Sequence, residues 1–171
     1  MVSGLSDEPP DVLRQVEDVC LGRCPPVPDY RLESGLVTDL VTHLESHQFM
    51  GVLKIAVEFF YSRGRTDVVA VDLQGEVLAF EAKLERWKVA LDQAHRNRCF
   101  AHRTYVVLPV EAAEVAMRHE REFSRRRVGL LVVSPNGVHE AFPACRSKPW
   151  QEWLSAVAVS KILEGERDHG S

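Results

Sequence analysis

The stretch RGRTDVVAVDLQGEVLAFEAK, residues 63–83, decides the fold of this chain. It predicts two adjacent β-strands, residues 67–73 and 77–83, joined by a short turn at Gln74 and Gly75. Both strands are almost purely apolar between charged ends. Strands that are apolar on both faces are usually covered on both faces by helices. The stretch therefore predicts a layered α/β domain around a buried sheet.

Three charged residues stand at the ends of these strands. Glu81 and Lys83 point to the same face of their strand, roughly 6–7 Å apart, because side chains alternate across a strand. Asp67 opens the neighbouring strand, and hairpin pairing would bring it beside Glu81. Because unpaired buried charges are costly, two carboxylates and one ammonium suit a hard divalent cation such as Mg²⁺. The same spacing also fits a simple ion pair of Glu81 with Lys83 or Arg65, and spacing alone leaves both interpretations open.

The motif residues and the segments after them resemble a known family. Asp67, followed after an apolar strand–turn–strand by Glu81-Ala82-Lys83, resembles the PD-(D/E)XK nuclease superfamily. The agreement spans residues 36–109 and extends more loosely to 141. The predicted helix 86–98 carries Gln93-Ala94, a pair often found in the helix that follows the motif. Thr66 stands where the motif has proline, a departure that many members share.

The resemblance implies a restriction-endonuclease-like core and a specific chemistry. It implies hydrolysis of phosphodiester bonds in DNA, duplex or branched, with Mg²⁺ as cofactor and Mn²⁺ as a possible substitute, in repair, recombination or defence. Flaps, single strands and RNA stay open as substrates. Asp67 and Glu81 would bind the metal with the carbonyl of Ala82. Lys83 would stabilise the transition state or orient the attacking water, and Gln93 would support the site.

A further acid is expected, and two residues compete for the position. The resemblance favours an acid from the first helix, and Glu45 lies at the edge of the apolar stripe of the predicted helix 36–48. Glu58 interrupts the apolar predicted strand 52–61 and is slightly preferred. The sequence does not decide between them.

The charge balance bears on a nucleic-acid partner. A net charge of −4 is unusual for such a protein, which normally carries a basic footprint. Arginines nevertheless cluster locally and suit contacts to a phosphate backbone. The candidates are Arg63, Arg65, Arg86, Arg96, Arg98 and Arg103. The first two also fit ordinary turn residues paired with Asp72 or Glu76.

The remaining patterns complete the order helix, three strands, helix, strand, helix, strand pair, helix. This order predicts an α/β domain with a central mixed β-sheet flanked by helices. We divide the chain into an N-terminal arm with a Pro-rich linker (1–30), a nuclease-like domain (31–148) and a C-terminal helix and tail (149–171). The domain includes a single predicted helix over 111–126 and a hairpin at Asn136-Gly137.

Other features of the sequence predict the location of the protein, the state of its cysteines and the role of its last helix. No apolar run reaches the ~18 residues of a membrane helix, and the first residues lack a signal-peptide pattern, so we expect a cytoplasmic protein with no membrane partner. The four cysteines lack zinc-site spacing, which favours reduced thiols. Trp150 and Trp153 of the last helix would complete the core or form a homodimer surface.

A second interpretation belongs to another functional class. The same fold would serve as a nucleic-acid-binding module with weak or absent catalysis, or as a subunit of a larger complex. The acidic balance favours it slightly. Dependence on a divalent metal separates it from the nuclease.

Overall fold

A six-stranded mixed sheet, with its strands in chain order, organises the structure. The computed structural model describes residues 30–46 and 49–165. The pairs β3–β4 and β4–β5 are parallel, and the other neighbours are antiparallel. The strands are β1 (Val52–Tyr61), β2 (Gly64–Asp72), β3 (Val77–Ala82), β4 (Arg103–Pro109), β5 (Gly129–Ser134) and β6 (Gly137–Phe142). The predicted α/β class with a mixed sheet is confirmed.

Helices cover both faces of this sheet, as the two-sided apolar character of β2 and β3 predicts. The helices are α1 (Glu33–Ser46), α2 (Trp87–Asn97), α3 (Val110–Met117), α4 (Glu120–Arg126) and α5 (Glu152–Glu164), with a short 3₁₀ helix at Phe49–Gly51. On one face, α1 buries Leu36, Leu40 and Leu44 against Val68 and Phe80.

The opposite face holds two apolar clusters. Residues of α2 and α3 pack there on β4 and β5, with Leu91 and Ala113 against Val106 and Leu130. Next to them, α5 packs on β2 and β3. The buried α5 residues are Leu154, Ala158 and Ile162. The C-terminal helix therefore belongs to the same core as the sheet.

Three of the differences from the sequence prediction bear on the core or on the candidate site. The predicted helix 111–126 is two helices, because His119 leaves the helical region at φ −116 and ψ 31 and stacks on Trp87 with ring centroids 4.8 Å apart. The first helix begins at Glu33, ahead of the predicted residue 36. The second strand begins at Gly64, so Asp67 lies inside β2 rather than at its start.

Some predictions fall on residues 1–29, which lie outside the described part of the chain. These are the short helix around Val12–Val19 and the Pro-rich linker, so the division at residue 30 stays a prediction. Within residues 30–46 and 49–165, the helices are all too short or too polar to cross a bilayer.

Candidate active site

The structure brings Asp67 and Glu81 together where β2 and β3 separate. Their antiparallel pairing runs from Val71–Val77 to Val68–Phe80. One residue beyond the last pair, the Asp67 carboxylate replaces the backbone partner, because Asp67 Oδ2 accepts the N–H of Ala82 at 2.9 Å. This bond fixes the Asp67 side chain across the end of β3, next to Glu81.

Glu81 is a buried acid whose hydrogen bonding is only half satisfied. Its residue exposure is 1%, and Oε1 accepts a hydrogen bond from Asn97 Nδ2 at 2.6 Å. Within the described chain, its other oxygen, Oε2, has no hydrogen-bond partner. Burial, then the neighbouring charge of Asp67, and a hydrogen bond with Asp67 raise the pKa of Glu81 to about 8, against the opposing effects of Asn97 and Lys83. In the absence of a metal the two carboxyl groups therefore share a proton.

Asn97 and Tyr61 form a chain of hydrogen bonds behind Glu81, and the sequence analysis assigned a role to neither. The Tyr61 hydroxyl donates to Asn97 Oδ1 at 2.8 Å, which leaves the Asn97 amide to donate to Glu81. Asn97 is 1% exposed, in line with Ala90 and Ala94 on the buried face of α2. One signal in the sequence could have identified Asn97. It is a polar residue three positions after Ala94, in the apolar stripe of a predicted helix.

Lys83 contacts the first helix. Its Nζ donates to Glu33 Oε2 at 2.8 Å, and the side chains of the two residues are 16% and 46% exposed. Glu33 opens α1 and was not among the expected residues. Lys83 therefore lies just after the end of β3, and its ammonium group binds the first residue of α1.

The position of Glu33 corrects the expectation for Glu45. Glu45 lies twelve residues further along α1, about 18 Å at the helical rise. It lines a separate cavity with Gly51 and Leu73. The acid that α1 presents beside the motif is therefore Glu33, because only the start of this helix reaches the separated ends of β2 and β3.

Glu58 lies on the side of Asp67 but is bound to an arginine. Its backbone has φ 59, which interrupts the regular strand geometry of β1. Its Oε1 lies 3.1 Å from Arg65 Nη1, and its side chain is 56% exposed. The second guanidinium nitrogen of Arg65 lies 3.9 Å from Asp67 Oδ1. Arg65 therefore links Glu58 to Asp67 through its guanidinium group.

Gln93 lies one helical turn before Asn97 on α2. Its Oε1 is buried and accepts no hydrogen bond from the described residues. A buried acceptor without a partner costs about 1–3 kcal/mol. This oxygen is therefore suited to a donor that the protein itself does not supply, such as water.

Four of the six arginines expected to contact phosphate are exposed, and two of these flank Tyr61. The exposed ones are Arg63, Arg65, Arg86 and Arg96. Burial raises the pKa of Tyr61 to about 12, while Arg63 and Arg96 act in the opposite direction from nearby. Because Tyr61 contacts Asn97, these two arginines lie close to the Glu81 side of the site.

The other two arginines are partly buried and have internal partners. Arg103 donates to Asp72 at 3.1 Å and to Glu76 at 3.2 Å. It pairs with Leu78 at the start of β3, about 13 Å along the strand from Ala82. Arg98 donates to the Arg126 carbonyl and lies 5.2 Å above the Trp150 ring. Both guanidinium groups stabilise the fold rather than face the carboxylate pair.

The two cysteines among the described residues make no hydrogen bond to the carboxylate pair. Cys99 is buried and Cys145 exposed, and neither forms a disulfide within the described residues. Cys20 and Cys24 lie outside the described residues.

Comparisons with known proteins bear on the fold. Neither a protein-family model nor a curated protein sequence matches this chain. Among solved structures, SPO1766, a protein of unknown function from Silicibacter pomeroyi, aligns with a TM-score of 0.53 and 19% identity, over 84% of this chain and 98% of its own. This likeness shows a shared fold over most of both chains.

Two further structures align less well. A repair endonuclease from Pyrococcus abyssi has a TM-score of 0.34 and 21% identity, over 55% of this chain and 46% of its own. SfsA from Pyrococcus furiosus, in complex with Ca²⁺, has a TM-score of 0.38 and 10% identity, over 69% and 65%. At these scores neither structure indicates the fold or the function of this chain.

Proposed function

We propose that this chain is a divalent-metal-dependent deoxyribonuclease of the PD-(D/E)XK type, acting in DNA repair, recombination or defence. One observation carries the proposal. Asp67 is held beside Glu81 by the N–H of Ala82, while Oε2 of Glu81 is buried without a partner in the described chain. A proton shared with Asp67 compensates this oxygen in the metal-free protein, and a divalent cation would replace that proton in the active enzyme.

The donor set fits a hard divalent ion. The described residues contain no group of three or more His, Cys, Asp and Glu side chains that would enclose a metal. Mg²⁺ is usually held by one or two carboxylates, with waters and substrate phosphates completing its coordination. Asp67 and Glu81, with the carbonyl of Ala82, would hold Mg²⁺ or Mn²⁺ here. A bound ion of this kind polarises a phosphoryl oxygen and lowers the pKa of a bound water.

The protein's own groups would position the substrate. The Lys83 ammonium would contact an oxygen of the scissile phosphate or orient the attacking water, and Glu33 would hold it in place. The free Oε1 of Gln93 would accept a hydrogen bond from that water. Glu58 would act through Arg65, whose guanidinium would meet phosphates together with Arg63, Arg86 and Arg96.

A binding module with little catalysis is the second candidate. It is favoured by the net charge of −4 and by the internal partners of Arg98 and Arg103. In that protein, Asp67 and Glu81 would bind metal without cleavage of DNA.

A homodimer through the C-terminal helix remains a proposal of its own. On α5, Trp153 and Val157 are 63% and 39% exposed, although the helix packs its other side on the sheet. Light scattering of the full chain would give the mass in solution, and Trp153→Glu would convert a dimer to a monomer.

Cleavage of a DNA panel tests the nuclease directly. The panel holds duplex, single-stranded, flap and branched DNA, each with Mg²⁺, Mn²⁺ or EDTA. Lys83→Ala is compared with Lys148→Ala, a lysine whose side chain is 74% exposed and paired with Glu152. We expect cleavage that requires metal, disappears in the first variant and persists in the second. DNA binding that needs no metal and is not followed by cleavage would favour the binding module instead.

A further inference from the structure

A cavity of about 420 Å³ opens directly beside the candidate carboxylate pair. It lies between α1 and the ends of β1 and β2. Its apolar wall is formed by Val37, Val41 and Val57, and the last of these is 52% exposed at the edge of the sheet. Ligand pockets of proteins span roughly 300–1,000 Å³, so this cavity has the size of a binding pocket. Most of its exposed surface is apolar, although seven of its ten lining residues are polar or charged.

Most of the charged residues that line the cavity are paired with a residue of opposite charge. Glu58 is paired with Arg65, and Glu33 is paired with Lys83. Asp67, the remaining charged lining residue, is also a member of the carboxylate pair. The cavity is therefore a largely apolar space that ends at the candidate reaction centre.

The hydroxyl groups on the wall of the cavity favour a ligand that donates hydrogen bonds. Thr38 and Thr42 use their hydroxyl protons on the carbonyls of Ser34 and Thr38, at 2.9 and 2.8 Å. Their oxygens thus remain available as acceptors along the α1 wall. A flat group with apolar faces and N–H donors at its edge matches this lining, and a nucleobase is such a group.

We propose that the cavity receives the base of an unpaired nucleotide adjacent to the scissile phosphate. This rests on the proposed nuclease function, since the phosphate would lie between Asp67 and Lys83. A base stacked inside a duplex cannot enter a side cavity without leaving its stack, which costs free energy that an unpaired base does not spend. Single strands, frayed ends and flaps are then the preferred substrates, and uninterrupted duplex is disfavoured.

Binding can be measured apart from catalysis. Glu81→Gln is used as the background, because Glu81 does not line the cavity, and a fluorescein-labelled oligothymidylate is titrated with Mg²⁺ present. Adding Val41→Phe fills the cavity and is expected to weaken single-strand binding about tenfold or more, with duplex binding unchanged. Val115→Phe on α3, at a valine that is 46% exposed, makes the same change elsewhere and leaves both affinities as they were.

A second variant guards against failure of the first to fold. Val57→Phe narrows the cavity from the opposite wall at an exposed position, and circular dichroism checks the fold of each variant. If folded variants at both valines bind the oligothymidylate as tightly as their background does, the proposal is overturned. The absence of any single-strand binding by the background protein overturns it as well.

Cleavage kinetics separate this proposal from the nuclease proposal. We expect the wild type to cleave a flap with a higher kcat/KM than a blunt duplex, and Val41→Phe to remove that preference. Metal-dependent cleavage with no such preference would retain the nuclease and reject the base cavity. Cavity-dependent binding of single strands without any cleavage would retain the cavity and reject the nuclease.

Discussion

The Asn97 amide donates to Glu81 Oε1 at 2.6 Å, and this bond determines which oxygen of Glu81 remains available. Asn97 cannot turn its carbonyl oxygen towards Glu81 without losing the hydroxyl of Tyr61, which donates to it at 2.8 Å. The two bonds thus orient a buried carboxylate towards Asp67. Groups that orient a metal ligand in this way typically contribute 10–100-fold to metal affinity or activity, an order-of-magnitude range.

Asn97→Ala tests that orientation. We expect Mg²⁺-dependent cleavage to fall by about 10–100-fold and the Mg²⁺ concentration for half-maximal rate to rise. Tyr61→Phe removes only the outer bond and should give a smaller loss in the same direction. An Asn97→Ala protein with wild-type rate and wild-type Mg²⁺ dependence would show that Asn97 only fills space.

The raised pKa of Glu81 makes a prediction about the stability of the metal-free protein. Folded Glu81 keeps its proton up to about pH 8, whereas in the unfolded chain it releases the proton near its ordinary value of 4.5. Between these values the folded state binds more protons, so the free energy of unfolding falls as pH rises. Below pH 4.5, Glu81 is protonated in both the folded and the unfolded state, so it no longer lowers the free energy of unfolding.

Glu81→Gln removes this dependence because an amide has no proton to lose in the window. In EDTA we expect the stability of the variant to match that of the wild type near pH 4.5 and to exceed it by about 3–5 kcal/mol near pH 8. Urea unfolding at several pH values measures this. Glu164→Gln, at an exposed position near the end of α5, is the matched control. Parallel pH profiles for wild type and Glu81→Gln would contradict the prediction.

The fold was predictable because its strongest signals are local. The apolar runs around Val69 and Ala79 have no solvent-compatible face, so a sheet covered by helices follows from residues adjacent in sequence. The alternation of helices and strands predicted the element order for the same reason. The break at His119 was not predictable, since it depends on stacking against Trp87 from another helix.

The site was only partly predictable because its supporting contacts join distant residues. Asp67, Glu81 and Lys83 follow from a short motif. Their partners do not: Glu33 lies fifty positions before Lys83, and Asn97 lies sixteen after Glu81. No periodicity of α1 indicates that its first residue, rather than a later one, reaches the end of β3.

The third prediction concerns Arg103, whose internal partners could not be predicted from the pattern of charges in the sequence. It binds Asp72, whose side chain is fully buried, so Arg103→Ala leaves a buried carboxylate without its cation. We expect a loss of about 1–3 kcal/mol in the free energy of unfolding, measured in urea. The dependence of DNA affinity on salt should not change.

Arg86→Ala is the comparison for this prediction. Arg86 is exposed and precedes α2, so its loss should leave stability near that of the wild type. If Arg86 contacts a phosphate, the slope of log affinity against log salt should fall in magnitude by about 0.9. The reverse pattern, with Arg103→Ala stable but weak in DNA binding, would return Arg103 to the nucleic-acid surface.

The ion pair of Glu33 with Lys83 gives the last prediction. At 2.8 Å, a charged hydrogen bond of this kind is worth about 1.5–3 kcal/mol when well formed, and the partial exposure of Glu33 reduces it. Glu33→Gln would let the Lys83 side chain sample other rotamers, so its ammonium would be correctly placed for a smaller fraction of the time. We expect kcat to fall about tenfold, with KM for DNA little changed.

Glu45→Gln makes the same chemical change on the same helix beside a different cavity, and we expect it to leave kcat unaltered. The two variants therefore decide which acid of α1 serves the site. Loss of activity in Glu45→Gln with none in Glu33→Gln would mean that α1 moves relative to β3 when DNA binds. A gain of activity in Glu33→Gln would instead mean that Glu33 competes with the substrate phosphate for Lys83.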